Sequence, residues 1–199
     1  MKIQWVSVLF LALFSSTVFA SEQTVEFDLK KSSFKWSASK KVGDGHSGNI
    51  FLKSATGKVK DGKIVGGEFV MDMASFTVMD LTGDWKKKFM DHVKSGDFFE
   101  VEKYPTAKLV VEKQINDNTL QAQMTIKDKT LPVVVRFAKN GSLYLGTLKF
   151  DRTKFGITYG SANFFKLAAD KVIKDEIILQ FKVSEKAEDK KAAPTSKAG

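Results

Sequence analysis

Leu120-Gln121-Ala122-Gln123-Met124-Thr125-Ile126-Lys127 alternates apolar and polar side chains without a break. Successive residues of a strand face opposite sides, so this segment puts four apolar groups on one face and four polar groups on the other. A helix, with its 3.6-residue period, would mix the two sets. Asn116-Asp117-Asn118, a cluster of turn formers, stands just before it. The segment therefore reads as one strand of an antiparallel sheet with a dry face and a wet face.

The period of two continues outward in both directions. Val25, Phe27 and Leu29 alternate with Glu26 and Asp28, and Phe34, Trp36 and Ala38 alternate with Lys35, Ser37 and Ser39. Phe69, Met71 and Met73 share one face, as do Ile177, Leu179, Phe181 and Val183. Lys60-Asp61-Gly62-Lys63 and Lys139-Asn140-Gly141 separate further strand-like runs. Asp-Gly and Asn-Gly favour type I′ hairpin turns, whose two central residues both need positive φ. About eight or nine strands result, and a sheet that large closes or folds over to remove its edges.

One segment departs from this pattern. Trp85, Phe89, Met90 and Val93 recur at helical spacing between Asp84 and Ser95, with Lys86, Lys87 and Lys88 on the other side. Asp84 is expected to cap the start and Gly96 to mark the end. A second helical turn is expected around Ser161 to Ala169, and both pieces would cover open ends of a barrel. The fold class is thus all-β with one or two short helices. The architecture is a closed antiparallel barrel with an apolar interior, and periodicity leaves open whether side chains or a ligand fill it.

Composition narrows the function classes. The 199 residues include 17 Phe and no Cys, which excludes disulfides and thiol chemistry and suggests a greasy core or pocket. The net charge is +9, but thirty of the 32 basic residues are Lys, scattered along the chain, and only Arg136 and Arg152 are Arg. Scattered Lys marks a solvated face rather than a phosphate grip, so nucleic acid is not an expected partner. Weak attraction to an anionic membrane surface is compatible with the charge. Lys2, the apolar run Ile3 to Phe14 and the small residues before Ala20 read as a cleavable signal peptide. The expected organisation is a signal peptide over 1–20, one domain over 21–183 and a charged, disordered tail over 184–199, in an exported, periplasmic protein.

Asp91-His92-Val93-Lys94-Ser95-Gly96-Asp97-Phe98-Phe99-Glu100-Val101-Glu102-Lys103-Tyr104-Pro105-Thr106-Ala107 closely resembles the signature of the YceI-like family of polyisoprenoid-binding periplasmic proteins. His46-Ser47-Gly48, Gly67 to Met73 and Phe150 to Ile157 fit the same family in the same order, and the resemblance spans Val25 to Val183. It implies an extended, lipocalin-like barrel of eight antiparallel strands that holds a long isoprenoid or other amphiphilic lipid. No other cofactor is implied, and pairing into a homodimer is compatible with it.

Candidate ligand contacts are Trp36, His46, Phe69, Met71, Met73, Phe89, Phe98, Phe99, Phe137, Phe150, Arg152 and Phe155. Each has a plainer reading as well. Phe98 and Phe99 either plug the helix against the barrel or line its channel, and in a strand only one of them could point inward. His46, with Lys35 and Arg152, would orient a head group at the barrel mouth, or it is a turn histidine bonded to backbone. Arg152 would meet an anionic head group or pair with a neighbouring carboxylate. His92 reads as a packed helix residue. Metal binding is not expected, because no His-x-x-x-His or Cys-x-x-Cys spacing exists. Nor is catalysis expected, because no nucleophile elbow or paired carboxylates stand out. A lipid carrier is the leading expectation. A fully packed interaction barrel and an enzyme acting on lipid are the alternatives.

Overall fold

Alternating side chains leave each strand one apolar face to bury, and the sheet buries it by closing on itself. The computed structural model describes residues 21–187. Its nine strands are β1 (Gln23–Glu26), β2 (Ser33–Lys40), β3 (His46–Lys60), β4 (Lys63–Asp72), β5 (Thr106–Asn116), β6 (Thr119–Ile126), β7 (Lys129–Asn140), β8 (Leu143–Asp151) and β9 (Ile173–Ser184). Strands β3 to β9 pair in series, β9 pairs with β2, and β2 pairs with β3, so eight antiparallel strands form a closed barrel. Strand β1 is a ninth, outside the eight. It pairs with the far half of β3, Val25 opposite Gly57, whereas β2 pairs with the near half, Trp36 opposite Gly48.

Inward positions meet across the ladders: Phe34 with Phe181, Trp36 with Leu179, Met71 with Ala107, Leu109 with Met124. Burying each large apolar side chain stabilises the fold by about 1.5–3 kcal/mol. At Gly146, the place a Cβ would occupy is filled by the Phe181 ring and the Arg136 carbonyl oxygen, so glycine here lets an inward ring lie flat on the wall.

The hairpins follow local chemistry, with one shift. Asp61 and Gly62 have φ of 51° and 74°, as a type I′ turn requires. The β7–β8 turn falls one residue later than Asn-Gly suggests. Asn140 ends β7, and Gly141, with φ of 57°, is the first central residue, the type II′ arrangement.

Strand directions gather the β2–β3, β4–β5, β6–β7 and β8–β9 connections at one end, the upper end. Helix α1 (Gly83–Lys94) lies in the β4–β5 connection. Its N-cap is Thr82, and Asp84 lies in the first turn, where it complements the helix dipole instead of capping. Val93 is buried and Phe89 and Met90 pack on the core, but Trp85 is 73% exposed, contrary to its place in the expected apolar stripe. Around Ser161 only one turn forms, Phe165 N donating to Ser161 O at 3.0 Å, followed by a short 3₁₀ turn at Ala169–Lys171. At the lower end the sheet continues past Val183: Ser184 ends β9, and Glu185 bridges to Phe27. The expected signal peptide and residues 188–199 of the expected tail lie outside the described residues.

One buried cation fastens the long β8–β9 connection. Arg152 is 2% exposed, and all five of its N–H donors are engaged. Nε donates to Lys174 O, Nη1 to Ile157 O and Tyr159 O, and Nη2 to Ile173 O and Asp175 Oδ1, at 2.8–3.3 Å. Burial lowers its pKa, and Asp175 and Asp151 oppose that shift. Asp175 also accepts from Ser161 Oγ at 3.0 Å and Asn163 Nδ2 at 2.7 Å, which ties the middle of the connection down.

At the other end, Glu185 Oε1 accepts from Tyr144 Oη at 2.6 Å and Lys139 Nζ at 3.0 Å. Burial pushes the Glu185 carboxyl up, but these two donors outweigh it and hold the group below its usual 4.5.

Two predictions follow from these fastenings. Arg152→Met leaves four carbonyl oxygens and a carboxylate without their donor, and should cost about 3–5 kcal/mol in urea unfolding. A loss under about 1 kcal/mol would contradict the clasp. The Glu185 contribution is present above the unfolded-state pKa and disappears as pH falls through the lower folded value. Glu185→Gln should therefore cost about 1 kcal/mol near neutrality. The gap to the parent protein should close in acid, below the ordinary carboxylate range.

Candidate functional site

The inward face of the barrel does not fill its interior. A chamber of about 280 Å³ occupies the upper half and one of about 90 Å³ the lower half. Both are lined by Met71, Ala107, Met124 and Leu179, so they meet at a waist made by these four residues. Two methionines at this shared level matter physically. Thioether chains are unbranched and adaptable, and can yield to a flexible guest where Leu or Ile would not.

The lower chamber is walled by aliphatic and aromatic groups, among them Phe27, Phe69, Leu120, Phe137 and Phe181, with Tyr144 near its end. Phe27 packs on Phe69 at 5.3 Å and edge-on to Tyr144 at 5.9 Å. The Tyr144 hydroxyl is engaged with Glu185, so its polar atom is already satisfied. Along β9 the joint lining runs from Ile173 to Val183, about 33 Å of strand. With the usual barrel tilt that is a channel about 25 Å long.

Polar groups gather at the upper mouth. His46 Nδ1 pairs with Asp80 Oδ2 at 3.0 Å, and the ring leans on Phe89 at 4.7 Å. Burial raises the Asp80 pKa, but bonds from His46 and from the Ser47 N–H more than offset this and hold the carboxyl below its ordinary value. His92 Nε2 pairs with Asp97 Oδ2 at 2.9 Å and sits edge-on to Phe98 and Tyr159. Trp36 stacks on Phe76 at 4.6 Å and donates its Nε1–H to Thr77 O at 2.9 Å. Among the described residues, no buried side-chain nitrogen or oxygen lacks a partner. None of their His, Asp and Glu side chains form a group of three placed for a metal ion.

Of the twelve candidate contacts, Trp36, His46, Met73, Phe89, Phe98, Phe99, Phe150 and Arg152 line the upper chamber. Phe69 and Phe137 line the lower, and Met71 lines both. Phe155 is 2% exposed but stands behind Phe150, edge-on at 5.7 Å, outside either lining. Phe98 and Phe99 both reach the chamber because they lie in a run of turns, Phe98 N donating to Ser95 O and Phe99 N to Val93 O, where strand alternation does not operate. Arg152 borders the chamber, but its donors are taken by the β8–β9 clasp, so it shapes the wall. Lys35 faces solvent on the outside of β2, not the mouth. His92 is both a packed helix residue and part of the lining.

Sequence reasoning missed Phe76, Asp80 and Tyr159, which come from irregular segments with no period to reveal them. It also passed over Leu179 and Phe181, although their alternation on one face was visible.

Comparison with known proteins places this architecture. No protein of curated function matches the chain. The crystal structure of Burkholderia cenocepacia BcnA is similar, with a TM-score of 0.59 and 25% identity, covering 79% of this chain and 98% of that one. A polyisoprenoid binding domain from Saccharophagus degradans, implicated in plant cell wall breakdown, has a TM-score of 0.54 at 13% identity, over 84% of this chain and 99% of that one. At that identity the second likeness shows the fold. The family model for the YceI-like domain matches residues 17–184, and with the closed eight-stranded barrel this chain belongs to the YceI-like family.

Proposed function

We propose that this protein binds one long-chain apolar lipid, of isoprenoid or similar type, inside the barrel and carries or sequesters it without chemical change. The observation that carries this reading is the apolar lining that runs unbroken through the Met71–Met124 waist from one chamber to the other. The head group would lie at the upper mouth, where His46, His92 and Lys40 offer polar contacts. The tail would thread the waist into the lower chamber. Each buried methylene adds about 0.8 kcal/mol, so a long chain needs no strong polar anchor. The description of the Saccharophagus degradans neighbour as polyisoprenoid binding agrees with this ligand class.

The unfilled chambers count against a fully packed interaction barrel. Catalysis fits less well, because the surfaces of both chambers are almost wholly hydrocarbon. The leading segment read as a signal peptide would send the protein to the periplasm, where the lipid would be taken from, or delivered to, a membrane surface.

Mass spectrometry of an organic extract of the protein, purified gently from its native compartment, tests the reading. One dominant long-chain lipid at about one per chain is expected, and no lipid in repeated preparations would contradict it. Met71→Trp should fill the waist at a cost of about 1–3 kcal/mol in stability. In a variant still folded by circular dichroism, retained long-chain lipid should fall at least about fivefold. Unchanged retention would place the lipid elsewhere.

A further inference from the structure

The exposed apolar side chains of this barrel are unevenly placed. Among the described residues thirteen large apolar side chains are exposed, and seven of them sit in upper-end connections: Val42, Met79, Trp85, Tyr159, Phe164, Phe165 and Leu167. The other six lie on strands, and none lies in a lower-end connection. Four of the seven fall within nine residues of the β8–β9 connection. Phe164, Phe165 and Leu167 are 56%, 48% and 41% exposed, on a segment that contains Lys166 and Lys171 and borders Lys41.

This display is built, not loose. The base of the segment is held by Ser161, fully buried and bonded to Asp175, and by Asn163 on the same carboxylate. Ile173 N donates to Gly160 O at 2.8 Å, and Gly160 takes a positive φ of 68° against the Ile173 side chain. The Arg152–Asp175 clasp thus fixes the backbone on both sides while two adjacent phenylalanines and a leucine remain in water. Leaving such groups exposed forgoes their burial, and a contiguous exposed apolar patch marks an interaction surface.

Charge selects the partner. From residue 153 to 174 the connection and first β9 residues carry Lys154, Lys166, Lys171 and Lys174 against Asp170 alone, and Lys40 and Lys41 adjoin it. Lys40, Lys41 and Lys166 form no ion pair among the described residues, whereas Lys171 pairs with Asp170 at 3.6 Å. Aromatic and aliphatic groups interleaved with lysine suit the interface of an anionic bilayer, where rings sit at head-group depth and amines meet phosphates. A hydrophobic protein partner would not need the lysines.

We propose that residues 161–171, with Lys41, dock the upper end of the barrel onto an anionic phospholipid surface, so that the mouth of the chamber opens beside the lipid it exchanges. The proposal deepens the carrier reading and rests on it for its purpose, but docking can be measured without any cargo. Sedimentation of the purified full-length protein with vesicles of phosphatidylethanolamine and phosphatidylglycerol, and with phosphatidylcholine vesicles as the neutral comparison, is the test. Binding to the anionic vesicles at low salt, weakening as salt rises, is expected. Phe164→Ser combined with Phe165→Ser should weaken it by about tenfold or more. Lys166→Glu should weaken it by roughly fivefold or more. Val134→Ser, which removes a similarly exposed apolar group from the barrel wall, should leave binding unchanged.

No binding to anionic vesicles at low salt, or equal binding by the double variant, would overturn the proposal. So would a concentration-dependent dimer abolished by the same two changes without vesicle binding, since the patch would then be a self-association surface. A protein that docks but yields no lipid on extraction would defeat only the carrier reading. One that yields lipid but does not dock would defeat only this proposal.

Discussion

The pairing of β2 with β9 is the constraint on which the rest of the structure depends. It joins Ser33 to Lys182 and Trp36 to Leu179, residues from opposite ends of the domain, and it is the seam that turns an open sheet into a barrel. Without it two strand edges would be left unpaired, and the apolar faces of both strands would meet water. With it, an interior exists that the wall residues do not fill. β1 and Glu185 reinforce the lower part of the seam, where Asp28 N donates to Ser184 O and Lys186 N to Glu26 O. Folding through such distant contacts is expected to be slow compared with a helical protein of equal size.

The interior follows from which residues the closed wall can and cannot accommodate. Gly146 gives its place to the Phe181 ring in the lower chamber, and at the waist the small Ala107 stands opposite Met71. Polar groups at the mouth are paired locally: His46 with Asp80, His92 with Asp97, and Arg152 with carbonyls and Asp175. A site in which polar atoms are already satisfied and the deep surface is hydrocarbon recognises length and apolarity more than charge. Under the proposed carrier function, such a site would select a long tail chiefly by its length.

Much of the wall was legible in the sequence because a period of two is a direct statement about which side chains share a face. The segment from Leu120 to Ile126 and the β9 face of Ile177 to Val183 required nothing beyond alternation. Other features were hidden for identifiable reasons. The β6–β7 turn is made at Lys127, which has a φ of 56° although neither residue of Lys127-Asp128 is glycine, and its amine is tied to Glu100 at 3.5 Å. Pro132 falls inside β7 and argues against a central strand. It is tolerated because β8 joins β7 only from Val135 onward, leaving that stretch an edge on one side. The mouth was the least legible part. Asp80, Phe76 and Tyr159 are brought to it by irregular chain, and the exposure of Trp85 depends on how α1 lies across the end, which its own spacing does not state.

The central claim is that the two chambers act as one channel through the waist. A tetrahedral carbon chain advances about 1.25 Å per atom, so a 25 Å channel takes about twenty carbons and the upper chamber alone about twelve. Measuring the affinity of the delipidated protein for a series of linear isoprenoid alcohols of rising length tests this most directly. The account predicts affinity that keeps rising beyond about twelve chain carbons (about three isoprene units) and levels off at about twenty (about five units). A plateau at or below about three units would show that the waist is closed to the tail, and would contradict it.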